Sequence, residues 1–519
     1  MTRLSDVNTT NILDAIELAS NAMCSMFDPT DGTPYFRVAV KPDAYLGMPL
    51  ESHVPGRHLN ALLNAEDVAG IKIDEESVSK HETATYLSYS GPLALPLERG
   101  NDGEYDTPTI FVPHHIREGF HALTALVKYR GSSRAQEIAE ASIDTIFKYW
   151  VPQRDWDYKA IDKTGVVSTK ESSYISGVAR TIGPLVKYYR VTGYGPALAL
   201  ALILKEEAIG DYYTQHGGND QDRFGTHAHS ITCTMSSLAQ LADLTSDSSL
   251  MDRVKAFYDN GLWDMRDEVG WSRESSALDS NKPDEGEMNN TGDIIETALI
   301  LGRWGYTEYF HDAERMLRCH LLPSQLRDIS WIETPNNPEE LDTLHNVARR
   351  VQGSWGFPAP FGHEPLEQKW MRFNTDVVGG TVGSLCEVLR EGVRTDTAGH
   401  WVNLLFDHET ENLVVKSPYT NPALTIVLKQ PGPLFVRIPP WVNLDSLVIK
   451  GTEEYPIRSN GYLFFATPPV NQPITLAFEM PLEELTMGHL TRDIQVRFRG
   501  DTVDAMENHG ANLTFFDSI

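Results

Sequence analysis

Residues 225–263, GTHAHSITCTMSSLAQLADLTSDSSLMDRVKAFYDNGLW, read as two helices in tandem. In the first, apolar residues recur at helical spacing with Ser, Thr and Ala between them, which suits a crowded inner helix. The second carries one charged face, as a solvent-facing helix does. His227 and His229 collect at the start of the first. Working outward, the same unit recurs. Helices that begin near His53 (ESHVPGRHLNALLNAE), His114 (VPHHIREGFHALTALVKY) and Glu171 (STKESSYISGVARTIGPLVKYY) precede it, and others near Asn290 (EMNNTGDIIETALILGRWG) and Asp376 (FNTDVVGGTVGSLCEVLRE) follow. The successive starts lie 61, 57, 56, 63 and 86 residues apart. A second, more charged helix follows most of them: SRAQEIAEASIDTIFKYWV, PALALALILKEEAIGDYY and EYFHDAERMLRCHLLPSQL. A fixed period in which each unit is one helix pair indicates a repeat architecture. Six pairs suit a closed (α/α)6 toroid of inner and outer helices. An open solenoid is the alternative, disfavoured because no repeat has the polar face of a cap.

The texture switches near residue 395. NLVVKSPY, ALTIVLKQPG, PLFVRIPPWV, GYLFFATP and ITLAFEMP are short β-branched and aromatic runs broken by Gly, Pro and Asn. That pattern predicts an antiparallel β-sandwich. Strands following helices indicate an α part and a β part rather than an alternating sheet. The expected organisation is a toroid over residues 1–392 and a sandwich over 393–519.

The 519 residues carry 44 Lys+Arg against 72 Asp+Glu, a formal charge of −28. That balance argues against nucleic acid as a partner, which needs a basic footprint. The four cysteines, Cys24, Cys233, Cys319 and Cys386, lack zinc-motif spacing and read as buried thiols. The N-terminal string lacks the apolar h-region of a signal peptide, and no stretch approaches the ~20 apolar residues of a membrane span. A cytoplasmic protein with no membrane partner is the expectation; a homo-oligomer is left open.

The six helix starts hold an unusual density of chemistry: His53 and Arg57; His114, His115 and Glu118; Glu171; His227 and His229; Glu287, Asn289, Asn290 and Asp293; Asn374 and Asp376. If the inner helices are parallel, all face one basin. Asp376 and Asn290 are good N-caps, and capping is the ordinary role for such residues. Histidines and glutamates are not explained that way. Aromatic residues in the preceding loops, among them Trp331, Trp355, Phe357 and Trp370, suit the apolar faces of sugar rings. There is no phosphate loop, GxGxxG, GxSxG or HExxH. His-Ala-His at 227–229 would not chelate as a helical pair, because residues two apart point to different faces. No metal or cofactor is expected.

Several strings resemble the glycoside hydrolase family of bacterial β-L-arabinofuranosidases. THAHSITCTMSSLAQLADLTSD is similar to the family's His-containing inner helix, which places His227 on its substrate-binding histidine. EMNNTGDIIETALILGRWG is similar to its Glu-Thr-Cys-Ala-Ser helix, which places Glu287 on the active-site glutamate. HHIREG resembles its His-Leu-Ile-Glu string, with His115 and Glu118 matching. LFVRIPPWV, NGYLFFATPP and IQVRFRGDTVDAMEN resemble its β-domain. The family binds zinc through cysteine thiolates, one of which is its nucleophile. Here those positions hold Val377, Val378 and Asn289, so thiolate catalysis and its zinc are not expected.

A pair of carboxylates is the usual alternative for cleaving a glycosidic bond. The sequence points to an exo-acting glycosidase on small oligosaccharides, with Glu287 and Asp376 as the acid/base pair and Glu171 and Glu118 in reserve. His115, His227, His229, Asn290 and Trp355 would bind or polarise the sugar, and Arg57, Arg117 or Arg180 would pair with a substrate carboxylate. A lyase or epimerase with His or Tyr as base, and a non-catalytic sugar-binding protein, are the alternatives.

Overall fold

A computed structural model describes residues 2–100, 107–170, 173–276, 284–488 and 492–519. Twelve helices carry the architecture. The inner six are α2 (Val54–Ala69), α4 (Ile116–Arg130), α6 (Ile182–Thr192), α8 (Ala228–Thr245), α10 (Met288–Arg303) and α12 (Thr375–Gly392). Each touches the next, and α12 touches α2, so the ring is closed. The outer six are α1 (Ile12–Met23), α3 (Glu75–Ser88), α5 (Ser133–Tyr149), α7 (Gly195–Glu207), α9 (Ser248–Asp259) and α11 (Glu308–Met316). The outer partner of α12 is α1, which stands first in the chain, so the sixth pair is joined across the whole toroid.

Small residues set how closely the inner helices approach. A Cβ on Gly56 of α2 would fall 1.8 Å from the Glu118 carbonyl oxygen of α4, and one on Gly292 of α10 would fall 2.6 Å from Ser384 Oγ of α12. Gly379 of α12 also lies close against the Arg57 backbone, where a Cβ would stand at 2.8 Å. The third inner helix differs from the sequence expectation. It begins at Ile182 rather than near Glu171, after a 3-10 turn at Val178–Thr181. Gly177, at φ −112° and ψ −110°, lies outside helical geometry and separates the turn from the chain before it. Glu171 lies outside the described residues.

Beyond α12 the chain forms two five-stranded sheets. One runs 457–459, 462–465, 434–437, 399–402, 393–396, and the other 408–409, 413–416, 424–428, 473–477, 448–450. Alternate residues of LTIVL, Leu424, Ile426 and Leu428, face a core that these sheets share. Pairing is antiparallel except between 399–402 and 434–437, which run parallel. The architecture is thus an (α/α)6 toroid followed by a β-sandwich. The final strands, Leu482–Gly488, Asp493–Arg499 and Thr502–Met506, form a separate sheet. Its buried Met487, Ile494 and Val496 share a core with Leu4, Val38, Phe361 and Phe373. No helix among the described residues is long and apolar enough to cross a membrane.

Candidate active site

The N-caps of the six inner helices are His53, His115, Thr181, His227, Glu287 and Asn374, and none uses its side chain to cap. Four outer helices are capped conventionally, by Asn11, Asp74, Ser132 and Asp247 accepting from backbone N–H groups. The expected capping role for Asp376 and Asn290 is therefore corrected: both lie one or two residues inside their helices. The inner starts instead meet each other. His53 Nε2 lies 3.3 Å from Asp376 Oδ2, the His53 ring lies 4.7 Å from that of His115, and the His114 ring lies 5.3 Å from that of His227. Arg57 Nη2 is 3.2 Å from His229 Nε2, and His229 Nδ1 is 3.6 Å from Glu287 Oε1. Five of the six starts converge at one mouth through these contacts.

Beneath this mouth Glu118 Oε1 takes three guanidinium groups: Arg57 at 3.0 Å, Arg180 at 3.0 Å and Arg117 at 3.2 Å. Burial raises the Glu118 pKa, but Arg180, His53, Arg57 and Arg117 outweigh it and hold the carboxyl well below its usual range. Glu118 is a fixed, fully buried anion and cannot donate a proton, which removes it from the reserve acids. Arg180 and Arg117 are consumed by the same cluster, Arg117 also facing Asp293 at 3.6 Å. They are not free for a substrate carboxylate.

The two remaining carboxyl groups differ. Glu287 is 5% exposed, and burial, then the Asp376 charge, push its pKa up to about 8. Asn289 Nδ2 donates to its Oε1 at 3.0 Å and opposes the shift. Asp376 is 7% exposed; burial works upward there too, but the hydrogen bond and charge of His53, with Arg57, bring it below the ordinary aspartate value. At neutral pH Glu287 therefore holds a proton and Asp376 does not.

His115 Nδ1 meets Ser52 Oγ at 2.8 Å and faces Glu98 at 3.7 Å, and His227 Nδ1 meets Ser230 Oγ at 2.6 Å. Burial first, with neighbouring cations, pushes His227 down to about 4 and His114, His115 and His229 well below the usual imidazole value. Two expected sugar contacts are corrected. Trp355 is fully buried in the toroid core, its Nε1 donating to the Leu321 carbonyl, and Asn290 is fully buried with Nδ2 donating to the Arg273 carbonyl. Sequence reasoning missed Glu98, whose pKa is raised by burial and by Glu51 to about 7. Nothing in its string marks it; pairing of Leu97–Glu98 with Ile110–Phe111 brings it to the mouth. Asp293, noted at the α10 start but given no role, is likewise raised by burial to about 7.

The positions that the resemblance gives to zinc thiolates do not fit that metal. Val377 and Val378 are core residues, and Asn289 is bound to Glu287. Of the cysteines, Cys233 bonds Arg180 and none is paired with Glu287 among the described residues. A different donor set does gather. His227, His229 and Glu287 each offer one ligand atom within 4.8 Å of the others, as do His229, Cys233 and Asp293. The objection from helical spacing fails for His227, because it precedes α8 in extended backbone. Zinc ligands lie roughly 3.3 Å apart around a tetrahedral ion, and His229 Nδ1 stands 3.6 Å from Glu287 Oε1 and His229 Nε2 3.4 Å from Asp293 Oδ2.

No family model matches the chain, and no curated protein matches it. Solved structures do. A GH127 β-L-arabinofuranosidase from Geobacillus stearothermophilus T6 is 14% identical, with a TM-score of 0.57 over 96% of this chain and 80% of that one. A second GH127 β-arabinofuranosidase is 13% identical, with a TM-score of 0.60 over 96% and 83%. A sugar epimerase from a ruminal bacterium is 12% identical, with a TM-score of 0.52 over 73% of this chain and 99% of that one. At these identities the likeness is one of fold: the first two parallel the toroid with its sandwich, and the third covers a shorter share of the chain.

Proposed function

We propose that this protein is a carbohydrate-active enzyme, a glycosidase that removes a terminal sugar from small oligosaccharides or glycosides at the mouth formed by the inner helix starts. One observation carries the reading: two buried carboxyl groups, both coupled to Arg57, whose surroundings drive their pKa values apart. Such a divergence assigns acid and base. Glu287, protonated at neutral pH, donates to the leaving glycosidic oxygen. Asp376, ionised and oriented by His53, activates water or attacks the anomeric carbon. His115, His227 and His229 are neutral there and suit hydrogen bonds to sugar hydroxyls, with Arg57 fixing His229. The solved relatives of this fold named as arabinofuranosidases and a sugar epimerase support a sugar as substrate. Held this far down, the imidazoles of His114, His115, His227 and His229 are weak proton acceptors, which disfavours these four as the base of a lyase or epimerase.

The test is a panel of aryl glycosides and short oligosaccharides, read by release of reducing sugar and by ultraviolet absorbance. The expected result is hydrolysis without growth of the unsaturated-uronide band, abolished in Glu287→Gln and in Asp376→Asn while circular dichroism is unchanged. Full turnover in both variants, or an unsaturated product, would overturn the assignment.

A further inference from the structure

An exo-acting glycosidase holds the terminal sugar in its basin, so the rest of the substrate lies over the rim. A small antiparallel sheet, Tyr35–Lys41 with Tyr45–Pro49 and Met371–Arg372, stands where the chain leads into α12. It buries Val38, Val40, Leu46 and Met371 in the core that it shares with the last sheet. Its other face carries Arg37, Ala39, Tyr45 and Arg372, because Ala39 stands opposite both Tyr45 and Arg372 and strand residues two apart share a face. A cavity of about 350 Å³ opens on that face, with Glu285, Gln368 and Trp370 also in its wall. That volume lies in the range of small-molecule sites.

The cavity adjoins the acid and the base. Glu285 lies two residues before Glu287 and Arg372 four before Asp376. The two side chains join these segments, Arg372 Nε donating to Glu285 Oε1 at 3.1 Å, while Gln368 Nε2 donates to Oε2 at 3.4 Å. Arg372 Nη2 also faces Glu274 at 3.6 Å, and the Glu274 charge contributes to the high pKa of Glu287. Its guanidinium lies 4.0 Å from the centre of the Phe357 ring, so Arg372 is a fixed part of the wall. Two other groups are open to a ligand. Trp370 is 59% exposed, the most exposed tryptophan among the described residues, and it packs into none of the hydrophobic clusters. Arg37 is exposed and has no ion-pair partner among the described residues. An accessible aromatic plane beside guanidinium donors suits a sugar ring, which offers an apolar C–H face to the one and hydroxyl oxygens to the other.

We infer that this cavity is a leaving-group subsite, in which the second sugar unit of the substrate stacks on Trp370 while Arg37 donates to its hydroxyl oxygens. The inference rests on the glycosidase reading above. It narrows the substrate class to glycosides whose leaving group is itself a sugar.

Binding and turnover test it separately. Calorimetry on Glu287→Gln compares each disaccharide of the panel with the monosaccharide that forms its non-reducing end. At least one disaccharide should bind more tightly than its monosaccharide. Adding Trp370→Ala should weaken that disaccharide roughly threefold to tenfold, the worth of one aromatic contact, and weaken the monosaccharide less. Trp370→Tyr should retain most of the affinity. Arg37→Met provides a second variant at an exposed position and should also weaken the disaccharide. In the otherwise wild-type enzyme, Trp370→Ala should lower kcat/KM for the disaccharide, mainly through KM, by more than for the methyl glycoside of the same terminal sugar. Equal losses on those two substrates, disaccharide affinity unchanged in both variants, or no disaccharide bound above its monosaccharide would overturn the subsite and leave the glycosidase reading intact. Absence of hydrolysis by the wild type would overturn that reading instead, and the titrations would still decide the subsite.

Discussion

Glu118 and Glu287 are both buried glutamates at inner helix starts, and the strings around them look equally catalytic. Their surroundings separate them. Three arginines fix Glu118 as an anion, whereas burial and the Asp376 charge keep Glu287 protonated. Removing the Glu118 charge would take from Arg57 and Arg180 their carboxylate partner and leave Arg117 only Asp293 at 3.6 Å. Glu118→Gln is expected to lose about 3–5 kcal/mol or fail to accumulate as folded protein, checked by urea unfolding. For Glu287 the sign runs the other way. An unfolded glutamate titrates near 4.5 and the folded one near 8, so between those values only the folded state keeps the proton. Stability therefore falls as pH rises through that window, and Glu287→Gln should be more stable than wild type at about pH 8 by on the order of a few kcal/mol. The difference should vanish near about pH 4, which melting curves across pH would show. Activity needs the protonated acid, so kcat/KM should decline above about pH 8, while the Asp376 limb lies below the ordinary aspartate range.

The inner helices show how much the sequence discloses at the level of elements. Five starts were legible because histidine and acidic residues recur there at a regular interval. The third was misplaced because the period carries no information about a break at Gly177. The repeat period does not disclose the outer helices α1 and α3: the first precedes the series of inner starts, and ESVSKHETATY offers little apolar periodicity. Trp355 and Asn290 illustrate a further limit, since an aromatic ring in a preceding loop or an amide at a helix start can face the core as easily as the mouth. The glycines of α12 have a consequence for the chemistry. A Cβ on Gly380 would fall 2.0 Å from Asn289 Oδ1 and 2.9 Å from Arg57 Nη1. Gly380→Ala should therefore displace Asn289 from Glu287. Because the Asn289 hydrogen bond lowers the Glu287 pKa, its loss should move the alkaline limb of kcat/KM to higher pH. Asn289→Ala should move the limb in the same direction, and an unmoved limb in both variants would show that Asn289 does not tune the acid.

At the scale of the molecule, texture divides the chain near residue 392, but one core crosses that line. Residues of the N-terminal segment, the 319–373 stretch before α12 and the last sheet pack together, and backbone bonds tie them: Leu4 N donates to the Thr514 carbonyl at 3.0 Å and Phe515 N to that of Phe361 at 2.9 Å. Periodicity along the chain cannot reveal such a core, since its parts lie hundreds of residues apart and each is short. Its position matters for the site, because Phe373 is one of its members and Asp376 follows three residues later. The sandwich core is a separate cluster with none of these residues. Two truncations of fully buried side chains should then behave differently. Phe515→Ala and Ile426→Ala each remove packed apolar volume and should cost about 2–5 kcal/mol. Phe515→Ala should also loosen the stretch that leads into α12, so the folded fraction should show a reduced kcat and a shifted acid limb. Ile426→Ala should lower the melting temperature while the folded fraction keeps wild-type kcat. Equal effects of the two on kcat, measured well below their melting temperatures, would mean that this shared core does not position Asp376.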